Sequence, residues 1–233
     1  MAIELVKSVK KIYLMGMVFM LSACVTSRIE QSREAITGIR SDEAIVVMGR
    51  VTSHEGITEE SFIDCLVNML SKGPTPVRTV EEDEFRNILY PWFEPATRPT
   101  SASDLGDLFR KSGVQDRIEE VNIKYLAWVR GTTETIDQGG SMSCTLTTFG
   151  GGCFGMSYWE QDAKYEATIW DLENLTAAGQ ISAEANGTSY LAGLVVPIPI
   201  LARPGNAACK GLAAQLRVFV QGEQAQPSSG EVL

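Results

Sequence analysis

Three segments in the second half of the chain show a period of two, with one strand face apolar and the other mixed, and this pattern constrains the fold most. Residues 123–130, 164–169 and 181–186 each place small or apolar residues at every second position. A period of two is typical of a strand that buries one face. Because no helical pattern separates the three segments, an antiparallel meander is the simplest topology. The second half of the chain is therefore predicted to be mainly β-sheet.

The region before this meander shows a different periodicity. The compact apolar run at residues 44–49 predicts a buried strand, and residues 77–80 predict a short second one. Apolar residues recur at helical spacing in four segments of this region and again near the carboxy terminus. We therefore predict an α+β fold, a two-layer sandwich in which an antiparallel-rich mixed sheet carries helices mainly on one face. The predicted helices cover residues 58–72, 81–89, 101–112, 114–121 and 209–219.

The amino terminus has the parts of an export signal. Lys7, Lys10 and Lys11 form a positive region, and residues 12–23 are an uncharged, mostly apolar run. This run is too short to span a bilayer, which needs about 20 residues. It ends in Leu21-Ser22-Ala23-Cys24, which resembles the lipidation signal of bacterial lipoproteins. The alternatives are an ordinary signal peptide and a short buried helix with a chance cysteine.

The resemblance to a lipoprotein signal implies that residues 1–23 are removed and that Cys24 carries acyl chains such as palmitate. Two or more chains hold a protein stably on a membrane without a transmembrane helix. Val25 rather than an aspartate follows the cysteine, which implies sorting to the outer membrane, on its periplasmic face. Residues 24–42 are polar and predict a lipidated tether, with a short helix as the alternative. We expect one domain over residues 43–220 and a disordered tail over 221–233.

Four cysteines remain besides Cys24, and the oxidising periplasm permits disulfides between them. Cys144 and Cys153 flank a glycine-rich stretch that we interpret as a flexible hairpin loop, so a bridge between them would staple the hairpin. Cys65 and Cys209 lie on the apolar faces of two predicted helices and can form a second bridge if those helices pack together. The alternative for this second pair is two small buried side chains. Because no close CxxC pair is present, we expect neither a metal site nor a redox centre.

The remaining residues exclude several classes of function. The net charge of -9 argues against nucleic-acid binding, which requires a basic face. The single histidine, His54, excludes most histidine-based triads, so we assign no catalytic residue and no cofactor. The acidic residues 81–84 lack the pattern of a calcium loop and fit a solvated helix start. The apolar run at 194–201 contains two prolines; we favour a cover for the core edge, with an exposed patch as the alternative.

The order of these elements resembles the amino-terminal domain of TolB and the periplasmic domain of the curli-secretion lipoprotein CsgG. The resemblance rests on the helix over residues 61–70, the strand KYLAWVRG at 124–131 and the sequence YEATIWDLENLTAAGQIS at 165–182. It implies an α+β fold in the cell envelope and allows oligomerisation. It does not extend to pore formation, because the chain lacks a clear pair of long membrane-inserting hairpins.

The lipidation signal, the TolB-like layout and the scarcity of catalytic side chains together predict a function. We expect a membrane-anchored, non-catalytic binding or assembly module with an envelope protein as its partner. The alternative is an envelope hydrolase that uses serine or acidic residues without a histidine.

Overall fold

A computed structural model describes residues 25–52, 56–73, 75–94, 96–148 and 150–222. The predicted signal peptide, Cys24 and His54 lie outside these residues, as do residues 223–233 of the predicted tail. The helices of the described part are α1 Glu60–Ser71, α2 Glu82–Ile88, α3 Ala102–Phe109, α4 Val114–Glu120 and α5 Pro204–Gln221. Its strands are β1 Val25–Arg33, β2 Ala44–Gly49, β3 Val51–Thr52, β4 Gly56–Ile57, β5 Thr79–Val80, β6 Ile123–Thr147, β7 Gly150–Asp171, β8 Thr176–Val195 and β9 Pro197–Ile200.

Seven strands form one mixed sheet. The strand order is β1-β8-β7-β6-β2-β5, and β9 pairs with β8 outside this path. Strand β2 is parallel to both β5 and β6, whereas β8 and β9 are antiparallel. Strands β3 and β4 form a separate antiparallel pair. The prediction of an α+β fold with a mixed sheet is confirmed.

The described chain groups into two compact units. The core unit contains residues 27–133, 163–185 and 205–222, and the ribbon unit contains residues 25–26, 134–162 and 186–204. The residues of the single domain expected over 43–220 are thus divided between the two units.

Helices cover both faces of the sheet in the core unit. Strand β2 is buried from Ala44 to Met48, with no exposed surface at Ala44 to Val47, and such continuous burial requires cover on each side. Val46 belongs to a cluster with apolar residues of α2, α3 and α4. On the opposite face, Phe62 of α1 stacks on Tyr165 of β7. The sequence indicates helices mainly on one face because Leu126 and Trp128 share a strand face with Lys124 and Arg130, which gives that face a mixed composition.

Part of the predicted tether is a strand. Residues 25–33 form β1 at one edge of the sheet, where only Val25, Ile29 and Arg33 are partly buried. Ile29 lies against α5, close to Gly211. An edge strand of this kind needs few apolar residues because one face stays in water. Its polar sequence therefore gives little sign of a strand.

The glycine-rich stretch between Cys144 and Cys153 belongs to strands rather than to a flexible loop. Strands β6 and β7 run well beyond the predicted segments and are separated by only two residues. A Cβ placed at Gly151 of β7 would lie 3.0 Å from the Thr145 carbonyl oxygen of β6. Glycine therefore permits a close approach of the two strands. The sequence signal for flexibility is here a signal for tight strand packing.

Candidate functional site

The residues predicted to matter most are the cysteines. Cys24 lies outside the described residues, so its lipidation stays a prediction. The structure joins Cys65 of α1 to Cys209 of α5, with a Cα–Cα distance of 6.3 Å. It also joins Cys144 of β6 to Cys153 of β7, at 4.0 Å. The first bridge belongs to the core unit and the second to the ribbon unit.

A small cavity of about 210 Å³ lies beside the Cys65–Cys209 bridge. Tyr165 lines it, with its ring centroid 3.4 Å from that of Phe62 and its hydroxyl 2.9 Å from Thr133 Oγ1. Burial raises the pKa of Tyr165 to about 12. The phenol therefore stays protonated at neutral pH, where it serves as a hydrogen-bonding group rather than as a base or nucleophile.

A wider groove of about 600 Å³ lies between α1 and α2 in the core unit. Carboxylates line both of its sides, and Arg86 is the cation among its lining residues. Glu82 pairs with Arg86 and accepts a hydrogen bond from the Gly49 backbone N–H at 3.1 Å. The excess of negative charge attracts cationic groups to this surface. The lining carboxylates are those of Glu60, Asp64, Glu81, Glu82 and Asp83.

The groove offers little for covalent chemistry. Its lining includes one hydroxyl group, that of Thr58, which donates to the Val129 carbonyl at 3.0 Å and is therefore occupied. Within the described ranges, no group of three or more His, Cys, Asp or Glu side chains could hold a metal ion. Residues 82–84 form the first turn of α2, where negative charge suits the helix dipole.

The apolar run at 194–201 is largely exposed from Val196 onward, so the favoured interpretation as a core cover is wrong. Val196, Ile198 and Leu201 are 68%, 46% and 50% exposed. Pro197 and Pro199 lack a backbone N–H, and β9 accordingly pairs with β8 at the border of the sheet.

Sequence reasoning missed two further exposed apolar residues. Phe154 and Met156 of β7 are 59% and 57% exposed, and they lie at the end of the stretch that the sequence predicts to be a loop. Their spacing of two, with Gly155 between them, is the signal that could have revealed a strand.

These features define an α+β protein with a mixed sheet, an acidic groove and an exposed apolar strand edge. Among the helices that the structure describes, none is long and apolar enough to cross a membrane. No protein-family model matches the chain, and no curated protein matches its sequence.

The solved structures that resemble the chain include two of the PelC dodecamer from Paraburkholderia phytofirmans. A single-substitution variant of PelC matches with a TM-score of 0.37 and 12% identity, covering 85% of this chain and 100% of the PelC chain. A second crystal form matches with a TM-score of 0.36 and 12% identity, covering 86% of this chain and 100% of that one. Similarity at this level identifies no activity for the chain.

Proposed function

We propose that this chain is a bacterial envelope lipoprotein, held on the periplasmic face of the outer membrane by acyl chains on Cys24. Its folded part acts as a non-catalytic binding or assembly module for an envelope protein. The observation that carries the proposal is the signal at residues 1–24, in which a positive region and a short apolar run end in Leu21-Ser22-Ala23-Cys24.

The cysteine chemistry supports an oxidising compartment. The bridges Cys65–Cys209 and Cys144–Cys153 use all four cysteines that follow Cys24. Structural disulfides form and persist in the periplasm, whereas they are rare in the cytosol. The use of every remaining cysteine in a bridge is therefore consistent with export.

Binding is better supported than hydrolysis. A hydrolase without histidine needs a carboxylate aimed at a nucleophile or at a water molecule. In the groove, Glu82 is paired with Arg86 and the Thr58 hydroxyl is occupied, while in the neighbouring cavity Tyr165 stays protonated. The groove and the exposed strand β9 instead provide surfaces of distinct charge and polarity that a partner can recognise.

The substitution Cys24→Ala tests the anchor. Because only Cys24 occupies the lipidation position, we expect the variant to lose all incorporation of labelled palmitate in living cells. The double variant Cys144→Ala/Cys153→Ala removes two other cysteines and should keep the label. Unchanged labelling of Cys24→Ala would contradict the proposal.

Affinity capture with the intact lipidated protein tests the binding part. The bait is purified from detergent-solubilised envelope, and the result is compared with a mock purification. We expect at least one envelope protein to be enriched specifically. Failure to enrich any envelope protein would count against the module as a binder while leaving the anchor untouched.

A further inference from the structure

The ribbon unit holds most of the exposed apolar side chains of the described residues. Eleven large apolar side chains are exposed in the described part of the chain, and eight of them lie in this unit. Four of the eight, Phe154, Met156, Tyr190 and Ile198, lie on strands β7, β8 and β9 and are between 37% and 59% exposed. A monomeric soluble protein rarely clusters exposed apolar groups in this way unless they contact something.

These four side chains share one face of the ribbon unit. In the β8–β9 pair, Tyr190 is opposite Ile200 and Ala192 is opposite Ile198. Strand β7 continues this surface, because Gly193 of β8 lies beside Cys153 of β7. A Cβ added to Gly193 would lie 3.0 Å from the Cys153 carbonyl oxygen. Ala192 therefore lies opposite Phe154, and the next residues on that face are Tyr190 and Met156. We call the surface of Phe154, Met156, Tyr190 and Ile198 the apolar face.

The chain around the apolar face carries no charge. Residues 138–159 and 187–202 contain no Asp, Glu, Lys, Arg or His, whereas charged residues make up 21% of the whole chain. A surface that mixes aromatic and aliphatic side chains without any charge is suited to the interfacial region of a lipid bilayer. A surface that contacts only water would be expected to carry charges.

The undescribed amino-terminal part of the chain is attached close to this face. Thr26 of β1 donates a hydrogen bond to the Asn186 side chain of β8, and both residues belong to the ribbon unit. Asn186 precedes Tyr190 by four residues on the same strand, which corresponds to about 13 Å. Since Glu34 bonds to Ala178, β1 and β8 run in opposite directions. The step from Thr26 back to Val25 therefore leads along β8 towards Tyr190.

We propose that the apolar face lies in the interfacial region of the bilayer that holds the acyl chains of Cys24. This inference rests on the proposed lipidation and extends it: the protein has two attachments to the membrane, the acyl chains and a sheet face. Only Val25 separates Cys24 from the fixed residue Thr26, so the anchor keeps the apolar face within reach of the lipid. A membrane explains both the absence of charge and the position of the face, whereas a protein partner would explain only the apolar character.

Fluorescence quenching by lipid tests the inference on the intact lipidated protein. The variants Phe154→Trp and Ile198→Trp are reconstituted into phosphatidylethanolamine and phosphatidylglycerol vesicles, with or without bromine on the acyl chains. Bromine quenches tryptophan on contact. The added fluorescence, which is that of the variant minus that of the unsubstituted protein, should therefore fall roughly twofold or more for a residue seated in the interfacial region. Met156→Trp repeats the measurement if either variant fails to fold.

The matched control is Tyr90→Trp, at a residue of the core unit that is 61% exposed. Its added fluorescence should be equal in the two kinds of vesicle. Equal fluorescence at residues 154 and 198 as well would overturn the inference. So would crosslinking of these residues to a second copy or to another protein in place of lipid.

Palmitate labelling of the same preparation separates the two proposals. Labelled protein without quenching means that the anchor exists and the apolar face does not touch lipid. Unlabelled protein means that the lipoprotein proposal itself is wrong, and the inference that depends on it falls too.

Discussion

Ser101 and Thr58 both stand at the start of a predicted helix, yet only Ser101 forms a cap. Ser101 Oγ accepts the Asp104 backbone N–H at 3.1 Å, and the Asp104 carboxylate accepts the Ser101 N–H at 3.0 Å. The Thr58 hydroxyl instead donates to the carbonyl of Val129, 71 residues away in the sequence, and α1 begins at Glu60. A local pattern predicts a cap well unless a distant partner competes for the hydroxyl. One sequence cannot reveal such a partner.

We predict that Ser101→Ala lowers the free energy of unfolding by about 1 kcal/mol at neutral pH, because it removes the cap. The control Ser103→Ala keeps the capping oxygen and should have a smaller effect. Urea unfolding of the two variants measures the difference. Equal losses would contradict the capping role.

The same cap makes a prediction about pH. Hydrogen bonds from Ser101, and then from Thr100, lower the pKa of Asp104 below its ordinary value of 3.8. The stabilisation by this carboxylate is therefore complete above that ordinary value and is lost as the pH falls through the folded-state pKa. In Ser101→Ala the pKa should rise towards 3.8, which a carbon-13 NMR titration of the Asp104 carboxyl can follow. An unchanged pKa would contradict the prediction.

At the scale of elements, the sequence predicts that strands β6, β7 and β8 exist but not how long they are. Alternation is visible where one strand face is more buried than the other, as at residues 164–169, and it fades in the ribbon unit, where both faces are largely exposed. Strand β1 was missed for the same reason, since its partly buried residues are few and far apart. Burial creates the pattern from which strands are recognised. Strands that are mostly in water leave little trace in a single sequence.

Strand β6 passes unusually close to β7 at Gly131, which has a φ of 143°. A Cβ at this position would overlap the Lys164 carbonyl oxygen and lie 2.6 Å from Tyr165 Cα. We therefore predict that Gly131→Ala lowers the free energy of unfolding by about 1–3 kcal/mol. Gly38→Ala is the control, because no atom lies within 4 Å of its added Cβ. Equal midpoints of thermal unfolding for the two variants would contradict the prediction.

For the molecule as a whole, the sequence predicted the fold class and the approximate positions of the five helices. It did not predict the acidic groove, because nothing local states that α1 and α2, which are separated by 10 residues and cover opposite faces of the sheet, both line it. Glu81, Glu82 and Asp83 were recognised as a helix start, which they are, but their role as a groove wall depends on α1. The exposure of Val196, Ile198 and Leu201 could not be predicted either, since an apolar sequence alone does not say which side chains face water.

The two disulfides should differ in their contributions to stability. Cys65–Cys209 closes a loop of 144 residues and ties α1 to the carboxy-terminal helix, whereas Cys144–Cys153 closes a loop of 9. In the chain-entropy model, a longer loop restricts the unfolded state more. We predict a loss of about 4–5 kcal/mol for Cys65→Ala/Cys209→Ala and about 2–3 kcal/mol for Cys144→Ala/Cys153→Ala. Guanidinium unfolding measures both, and a larger loss for the short loop would contradict the prediction.

The position of β1 has a mechanical consequence. With lipid on Cys24, any tension between the membrane and the folded protein enters the sheet at Val25, with no slack to absorb it. That load passes along the hydrogen bonds between β1 and β8, which run in opposite directions and lie side by side over much of their length. The ladder then resists in shear, with many bonds loaded at once. Strand β1 thus couples the anchor firmly to the sheet, because it cannot detach from β8 one hydrogen bond at a time.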